Sequence, residues 1–119
     1  MSDKMKTDRE LLELAAKAAK MNTREFATDS ITRWHWREDG THTAWNPLTD
    51  DGDALRLAVK LNLSILPDAE TETIRTVEAI ANTGGEFEPF GIVKIENDQC
   101  AATRRAITRA AAAIGEGMK

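Results

Sequence analysis

Apolar residues recur at a helical period in the first part of the chain. Thr7-Asp8-Arg9-Glu10 is a capping box, in which the threonine caps a helix and the glutamate three residues later reaches back to it. The helix is predicted to end near Met21, and its buried stripe would consist of Leu11, Leu12, Ala15, Ala16 and Ala19. The run from Lys20 to Asp29 then indicates a break, with room for one further helical turn.

A β-hairpin is predicted after this break. Residues 31–37 alternate and are rich in aromatic and β-branched side chains, as strands are. Asp39-Gly40 is typical of a two-residue type I′ turn. With that turn, Trp34 lies opposite Trp45 and Trp36 lies opposite Thr43, so the three tryptophans share one face. His35 and His42 then fall on the other face.

The densest run of structural signals lies between Trp45 and Leu61. Asn46-Pro47 should end the hairpin, because proline has no N–H to donate to a strand ladder. Thr49, Asp50 and Asp51 then offer N-caps for a helix from Asp53 to Leu61, and their carboxylates suit the helix dipole. That helix is apolar on much of its circumference. We therefore expect it to be covered on more than one side.

Three further strands are predicted in the second half of the chain. Residues 63–66 form a short strand that Pro67-Asp68 should stop. Residues 71–81 fit either a helical period or a strand composition. A strand is favoured because Gly84-Gly85 follows and residues 90–95 resemble its antiparallel partner.

The last helix should begin after a cap at Asn97 or Asp98 and end at Ile114, with Gly115 as its C′ residue. Its inward stripe would consist of Cys100, Thr103, Ile107, Ala110 and Ile114. The predicted order is α-β-β-α-β-β-β-α in one domain spanning residues 1–119. A mixed sheet between helix layers, an α-β-α sandwich of the α/β (α+β) class, would bury all the apolar faces.

Composition and charge narrow the classes of function. The chain has 119 residues, a single cysteine and no apolar run long enough for a membrane span, so a cytoplasmic protein is expected. The net charge of −4 argues against nonspecific binding to nucleic acid, which depends on neutralising phosphates. The charge is uneven, since acids dominate from Glu38 to Glu72 and bases dominate from Gln99 onward.

Three blocks of the sequence resemble the phage ABA-sandwich domain family, whose members are small proteins of tailed phages and prophages. The blocks are Asp8–Ala19, Trp45–Leu61 and Ala101–Ala110, in the family's order, and the middle block is the most specific. The resemblance implies an α-β-α sandwich and a viral or prophage origin. It implies no particular activity. The segments 21–29 and 67–92 are particular to this chain.

Several groups of residues are candidates for a binding site. Arg104, Arg105 and Arg109 could grip phosphates or carboxylates, although a solvated face or pairing with acids near Asp50 is the commoner role. Trp34 and Trp36 could stack on bases, although three tryptophans on one hairpin face are more often core. Asp50 and Asp51 belong to an acidic flank that could meet a partner, and capping is their simpler role.

The candidates for catalysis or metal binding are weaker. His35 and His42 lack a third ligand nearby, so a zinc site is not expected. Cys100 begins the last helix, where the dipole favours a thiolate, but its place on the inward stripe predicts an inert buried thiol. No catalytic or metal-binding residue and no cofactor is therefore predicted.

Two functions from different classes are favoured, and an enzyme ranks third because no acid–base pair with plausible geometry can be named. The first is a non-enzymatic phage or prophage accessory protein in the host cytoplasm that binds a host or phage protein, such as a defence component. The second is a small-molecule or nucleotide-binding protein, in which the arginines meet phosphates and a tryptophan stacks on the base. A homodimer is compatible with both, because sheet edges must be covered.

Overall fold

The computed structural model describes residues 7–21, 23–25, 33–36, 39–70, 75–81, 90–95 and 98–118. In chain order the elements are α1 (Asp8–Ala18), β1 (Thr23–Glu25), β2 (Arg33–Trp36), β3 (His42–Trp45), α2 (Asp51–Lys60), β4 (Leu63–Glu70), β5 (Arg75–Ala81), β6 (Phe90–Lys94) and α3 (Gln99–Glu116). The fold is therefore of the α+β class. None of the described helices is long and apolar enough to cross a membrane.

The first helix forms as its sequence predicts. The Thr7 hydroxyl accepts the Glu10 N–H at 3.1 Å, and the Glu10 carboxylate accepts the Thr7 N–H at 2.8 Å. Its predicted apolar stripe is buried. The helix ends at Ala18, earlier than predicted, because Lys20 takes a left-handed conformation with φ 57°.

The strands form two antiparallel sheets, so the predicted single mixed sheet is wrong for the described residues. One sheet has the order β1-β2-β3 and the other β4-β5-β6, with three strands each. Every pairing between the described strands is antiparallel. β1 lies in the region where a further helical turn was considered, because residues 23–25 pair with β2. The neighbouring residues 22 and 26–30 lie outside the described part.

The predicted register of the hairpin is wrong by one residue. Trp34 lies opposite Ala44 and Trp36 lies opposite His42, while Trp45 lies opposite Arg33. The physical reason is the turn. The Asp39 carboxylate accepts the Thr41 N–H at 2.9 Å and the Thr41 hydroxyl at 2.7 Å, which replaces the two-residue turn by a longer loop.

The slip separates the residues that were expected to share a face. In this register, Trp45 shares one side of the hairpin with His35 and Thr43. The predicted pairing of Trp34 with Trp45, on which a common tryptophan face depends, is therefore wrong. Position 35 pairs with Thr43 and position 42 pairs with position 36, so the register also differs from the one that gave the two histidines a common face. The side chains of Trp34 and Trp36 lie outside what the structure describes.

The second sheet follows the sequence more closely. β5 confirms the strand prediction for the part of residues 71–81 that is described, and β6 is its antiparallel partner. β4 continues through Pro67 and Asp68, where a stop was predicted. The pairing shifts between Leu66 and Ala69. A bulge of this kind tolerates a residue without an N–H donor, so the proline interrupts the register without ending the strand.

Helix α3 lies at the centre of the fold. It packs against the β4–β6 sheet, and both α1 and α2 pack against it. Asp98 is its N-cap. Its buried side chains include Ala102, Ala106, Ile107, Ala110 and Ala111, which let neighbouring elements approach closely. Cys100 is exposed and Thr103 and Ile114 are only half-buried, so the predicted inward stripe is partly wrong. Compared with the predicted stripe, the buried face of α3 is rotated about the helix axis toward its alanine residues.

Gly115 is a packing residue instead of the predicted helix terminator. The helix continues to Glu116 and is capped by Gly117. A Cβ at position 115 would overlap the backbone carbonyl of Leu14 in α1. At this point the two helices approach so closely that only a hydrogen atom fits between their backbones.

Helix α2 is covered on one side only, contrary to the prediction. Ala54, Leu57 and Ala58 are buried in the core, with Trp45 and Leu48. Leu55 is 64% exposed and Val59 is 71% exposed. The other face of the helix therefore carries two large apolar side chains that the fold itself does not bury.

Replacing Gly115 by alanine should destabilise the protein strongly. The added methyl group meets a backbone carbonyl that cannot rotate away, so we expect a loss of about 1–3 kcal/mol or more, as in overpacked cores. Gly117→Ala is the matched control, because its Cβ would lie 3.6 Å from the Ile114 carbonyl oxygen, an ordinary contact. Urea denaturation of both variants measures the difference. Equal stability of the two variants would contradict the close approach of α1 and α3.

Candidate functional site

The segment between β3 and α2 is a hydrogen-bonded joint. The Asn46 side chain accepts the Leu48 N–H at 2.9 Å, which forms the turn around Pro47. The buried carboxylate of Asp53 accepts the Asn46 N–H at 2.9 Å and a guanidinium N–H of Arg56 at 2.7 Å. Nearly every polar group of this distinctive sequence block therefore has a structural task.

Asp50 and Asp51 take part in the same joint. Asp50 is the N-cap of α2, and its carboxylate accepts the Asp53 N–H at 2.8 Å. This confirms the capping role that the sequence favoured. Asp51 is in the first turn and forms an ion pair with Arg104 of α3 at 2.6 Å. Both carboxylates remain exposed, but each already has a partner within the fold.

The structure separates Arg104 from the other two candidate arginines. Its Nε donates to the Leu48 carbonyl oxygen at 2.9 Å and its Nη1 donates to Asp51. Its side chain is only 18% exposed. Arg104 therefore connects α3 to the start of α2. This agrees with the alternative role predicted for the arginines, which was pairing with the acids near Asp50.

Arg105 and Arg109 lie together on another face of α3. With Val93, Lys94, Asp98, Ala101 and Ala102 they line a cleft of about 510 Å³ between α3 and β6, which we call the cationic cleft. Arg105 contacts the Asp8 carboxylate of α1 at 3.1 Å. Asp98 is occupied as the N-cap of α3, where it accepts the Ala101 N–H at 3.0 Å. Among the described residues, Lys94, Arg105 and Arg109 thus surround a concave surface with the carboxylates of Asp8 and Asp98 beside it.

Burial and mutual repulsion disfavour the positive charges in this cleft. Burial lowers the pKa of Arg109, the neighbouring Arg105 charge lowers it further, and Asp8 acts in the opposite direction. The guanidinium still carries its charge at neutral pH. The protein therefore holds two like charges one helical turn apart, and an anion in the cleft would offset their repulsion.

Sequence reasoning identified the two arginines but missed Lys94, Asp98 and Asp8 as their neighbours. Lys94 is the last residue of β6, and only the crossing of α3 over that strand brings it to the arginines. No local pattern of residues signals such a contact. Asp8 lies in the first turn of α1, where a carboxylate is favourable by itself, so no local pattern indicates its contact with Arg105.

A smaller pocket of about 200 Å³ lies on the Trp45 side of the hairpin. His35, Thr43, Trp45, Asp53 and Lys60 contribute to its lining. Trp45 is only 5% exposed, so it belongs to the core. A core position is the role that the sequence analysis gave as the alternative to base stacking. Trp45 does not line the cationic cleft. Within the described residues, the predicted combination of arginines and a stacking tryptophan does not come together.

An apolar groove of about 480 Å³ separates α2 from α3, and we call it the α2–α3 groove. Its lining is mainly aliphatic and includes a few polar side chains: Asp51, Ala54, Leu55, Ala58, Ile65, Gln99, Cys100, Thr103, Arg104 and Ile107. Cys100 is exposed there, which corrects the prediction of a buried thiol. Cys100 lies in the first turn of α3 and lines the groove.

Comparison of the chain with protein-family profiles, curated protein sequences and solved structures finds no match. In the described part of the chain, no group of three or more His, Cys, Asp or Glu side chains is placed to hold a metal ion.

Removing the Asp53 carboxylate should cost more stability than removing that of Asp51. Asp53→Ala leaves the buried Asn46 N–H without its acceptor, which costs about 1–3 kcal/mol. Asp51→Ala removes an ion pair whose carboxylate is exposed, for which about 0–1 kcal/mol is typical. Both variants lose one carboxylate from the same helical turn, so they are matched in charge. Urea denaturation compares them, and a larger loss for Asp51→Ala would overturn the structural role of Asp53.

Proposed function

We propose that this chain is a non-enzymatic accessory protein of a phage or prophage, and that it acts in the host cytoplasm by binding a protein partner through the cationic cleft. The partner would be a host factor or defence component that presents an acidic surface. The phage family and its α-β-α sandwich arrangement form part of the same proposal. They rest on the three sequence blocks that resemble that family.

One observation carries the proposal. Arg105 and Arg109 lie one turn apart beside Lys94 in a concave surface, with Asp8 and Asp98 close to it. Asp98 caps α3, and Asp8 pairs with Arg105. Arginine is enriched at interface positions that dominate binding energy, because its planar fork matches carboxylates and phosphates. Binding an acidic surface would stabilise an arrangement that repulsion weakens.

A second candidate function is the binding of a small phosphorylated molecule in the same cleft. Its volume of about 510 Å³ lies within the range of small-molecule sites, about 300–1,000 Å³. The favoured ligand would be recognised by its phosphates and not by stacking of its base, since the described lining of the cleft contains no tryptophan. A thermal shift produced by phosphates and nucleotides, with no protein captured, would favour this candidate.

Neutralising the two arginines should abolish capture of the partner. Arg105→Gln/Arg109→Gln removes two positive charges from the cleft and keeps side chains that form hydrogen bonds. The wild-type protein, immobilised and exposed to host lysate, should retain a defined protein that the variant does not retain. Retention should fall as salt is added, because screening weakens exposed charge pairs.

The matched control is Lys20→Gln/Lys60→Gln, which removes the same charge from exposed positions outside the cleft. Circular dichroism and urea denaturation verify that both double variants fold. If the control variant loses the partner as well as the arginine variant, binding depends on the net charge of the protein and not on the cleft. Retention of the partner by the folded arginine variant would refute the proposal. Asp50→Lys/Asp51→Lys tests the acidic flank in the same experiment, and partner loss confined to it would move the site there.

A further inference from the structure

An ion pair between α1 and α3 lies at the edge of the cationic cleft. Nη1 of Arg105, which lines the cleft, donates to Oδ1 of Asp8 at 3.1 Å. Asp8 is not among the described residues that line the cleft, so its carboxylate flanks the concave surface. Both side chains are partly exposed, 34% for Arg105 and 41% for Asp8. An acidic group that enters the cleft therefore meets a guanidinium that already has a carboxylate beside it.

The first turn of α1 does not depend on this ion pair. Its capping box is complete without Asp8, because the side chains of Thr7 and Glu10 each accept the backbone N–H of the other residue. Further along the helix, the close contact of the Leu14 carbonyl with Gly115 positions α1 against α3. A carboxylate in the first turn is favourable to the helix dipole with or without a counter-ion. Asp8 can therefore give up its ion pair while the helix keeps its start.

The other carboxylate beside the cleft has a different task. Asp98 is the N-cap of α3 and accepts the Ala101 N–H at 3.0 Å. Its displacement would leave a backbone donor unsatisfied at the start of the helix that carries both arginines. A partly exposed ion pair is weaker, because solvent screens it and hydrates either partner when they separate. Of the two carboxylates, Asp8 is the one that an incoming anion displaces at low cost.

Asp8 already acts on the cleft as a bound anion would. Burial lowers the pKa of Arg109 and the charge of Arg105 lowers it further, while Asp8 acts in the opposite direction. Its carboxylate thus offsets part of the repulsion between the two arginines. Lys94 adds a third positive charge to the same surface. A partner with several acidic groups supplies more negative charge than Asp8 alone, so it can replace Asp8 at Arg105.

We propose that Asp8 is an internal competitor for the cationic cleft: its carboxylate holds Arg105 in the free protein, and acidic groups of the bound partner replace it. The inference rests on the proposed function, since it assigns a regulating residue to the same site. The free energy of binding is then the gain from new contacts with Arg105 less the ion pair that is given up. Asp8 therefore lowers the affinity for every anion and favours partners with several acidic groups.

Fluorescence anisotropy of a labelled oligoglutamate peptide measures this competition. Asp8→Asn should bind the peptide about two- to fivefold more tightly than the wild type, because an exposed ion pair contributes an effect of that size. Glu13→Gln is the matched control, since it neutralises one carboxylate at an exposed position of the same helix and Glu13 does not line the cleft. The control should bind the peptide as the wild type does.

A second background tests whether the effect depends on Arg105. When Arg105→Gln is already present, Asp8→Asn should no longer strengthen binding, because the ion pair is absent from both proteins. Circular dichroism and urea denaturation verify that each variant folds. The inference is overturned if Asp8→Asn brings no gain in affinity, if Glu13→Gln brings an equal gain, or if the gain persists without Arg105. Failure of both the wild type and Asp8→Asn to bind the peptide overturns it as well.

These outcomes are distinct from those of the capture experiment. If Asp8→Asn brings no gain while capture from lysate depends on Arg105 and Arg109, the cleft is the partner site and Asp8 is no competitor. If Asp8→Asn strengthens peptide binding through Arg105 while the folded Arg105→Gln/Arg109→Gln variant keeps the lysate partner, the proposed partner surface fails. The competition between Asp8 and anions in the cleft then stands without it.

Discussion

The close approach of α1 and α3 at Gly115 is the constraint on which the rest of the structure depends. Because position 115 has no Cβ, the backbone of α3 can lie against the Leu14 carbonyl. The two helices run in the same direction, since Asp8 meets Arg105 and the Lys17 ammonium donates to the Met118 carbonyl oxygen at 3.0 Å. Alanines fill the space between them. This contact also brings the Asp8 carboxylate to the cationic cleft, so a packing constraint sets part of the electrostatics of the proposed binding surface.

The joint between β3 and α2 positions the helix that packs on the second side of α3. Asn46, Asp50 and Asp53 build a turn and a helix start from their own side chains, and Arg104 then connects that start to α3. The most distinctive stretch of the sequence is therefore a scaffold. It positions α2 beside α3, with the α2–α3 groove between them and Leu55 lining that groove.

Features governed by neighbouring residues could be predicted from the sequence. The capping box at Thr7, the caps at Asp50 and Asp98, and the strand pairing of β5 with β6 all depend on short-range chemistry. Features that depend on distant parts of the chain could not. The hydrogen bonds between Asp39 and Thr41 give the hairpin a different register from the one that the dipeptide Asp39-Gly40 predicts. The sequence indicates a helix terminator at Gly115, because the residue that it packs against, Leu14, is distant along the chain. The role of Arg104 and the position of Lys94 in the cationic cleft also required the fold.

The most direct test of the central claim is side-chain footprinting of the arginines. Phenylglyoxal modification, read by mass spectrometry, is applied to the protein alone and to the protein bound to the partner it captures. Binding through the cationic cleft predicts that Arg105 and Arg109 are protected in the complex, while Arg56, whose side chain is 73% exposed on α2, stays reactive. Unchanged reactivity of Arg105 and Arg109, with protection of Arg56 in their place, would contradict the account.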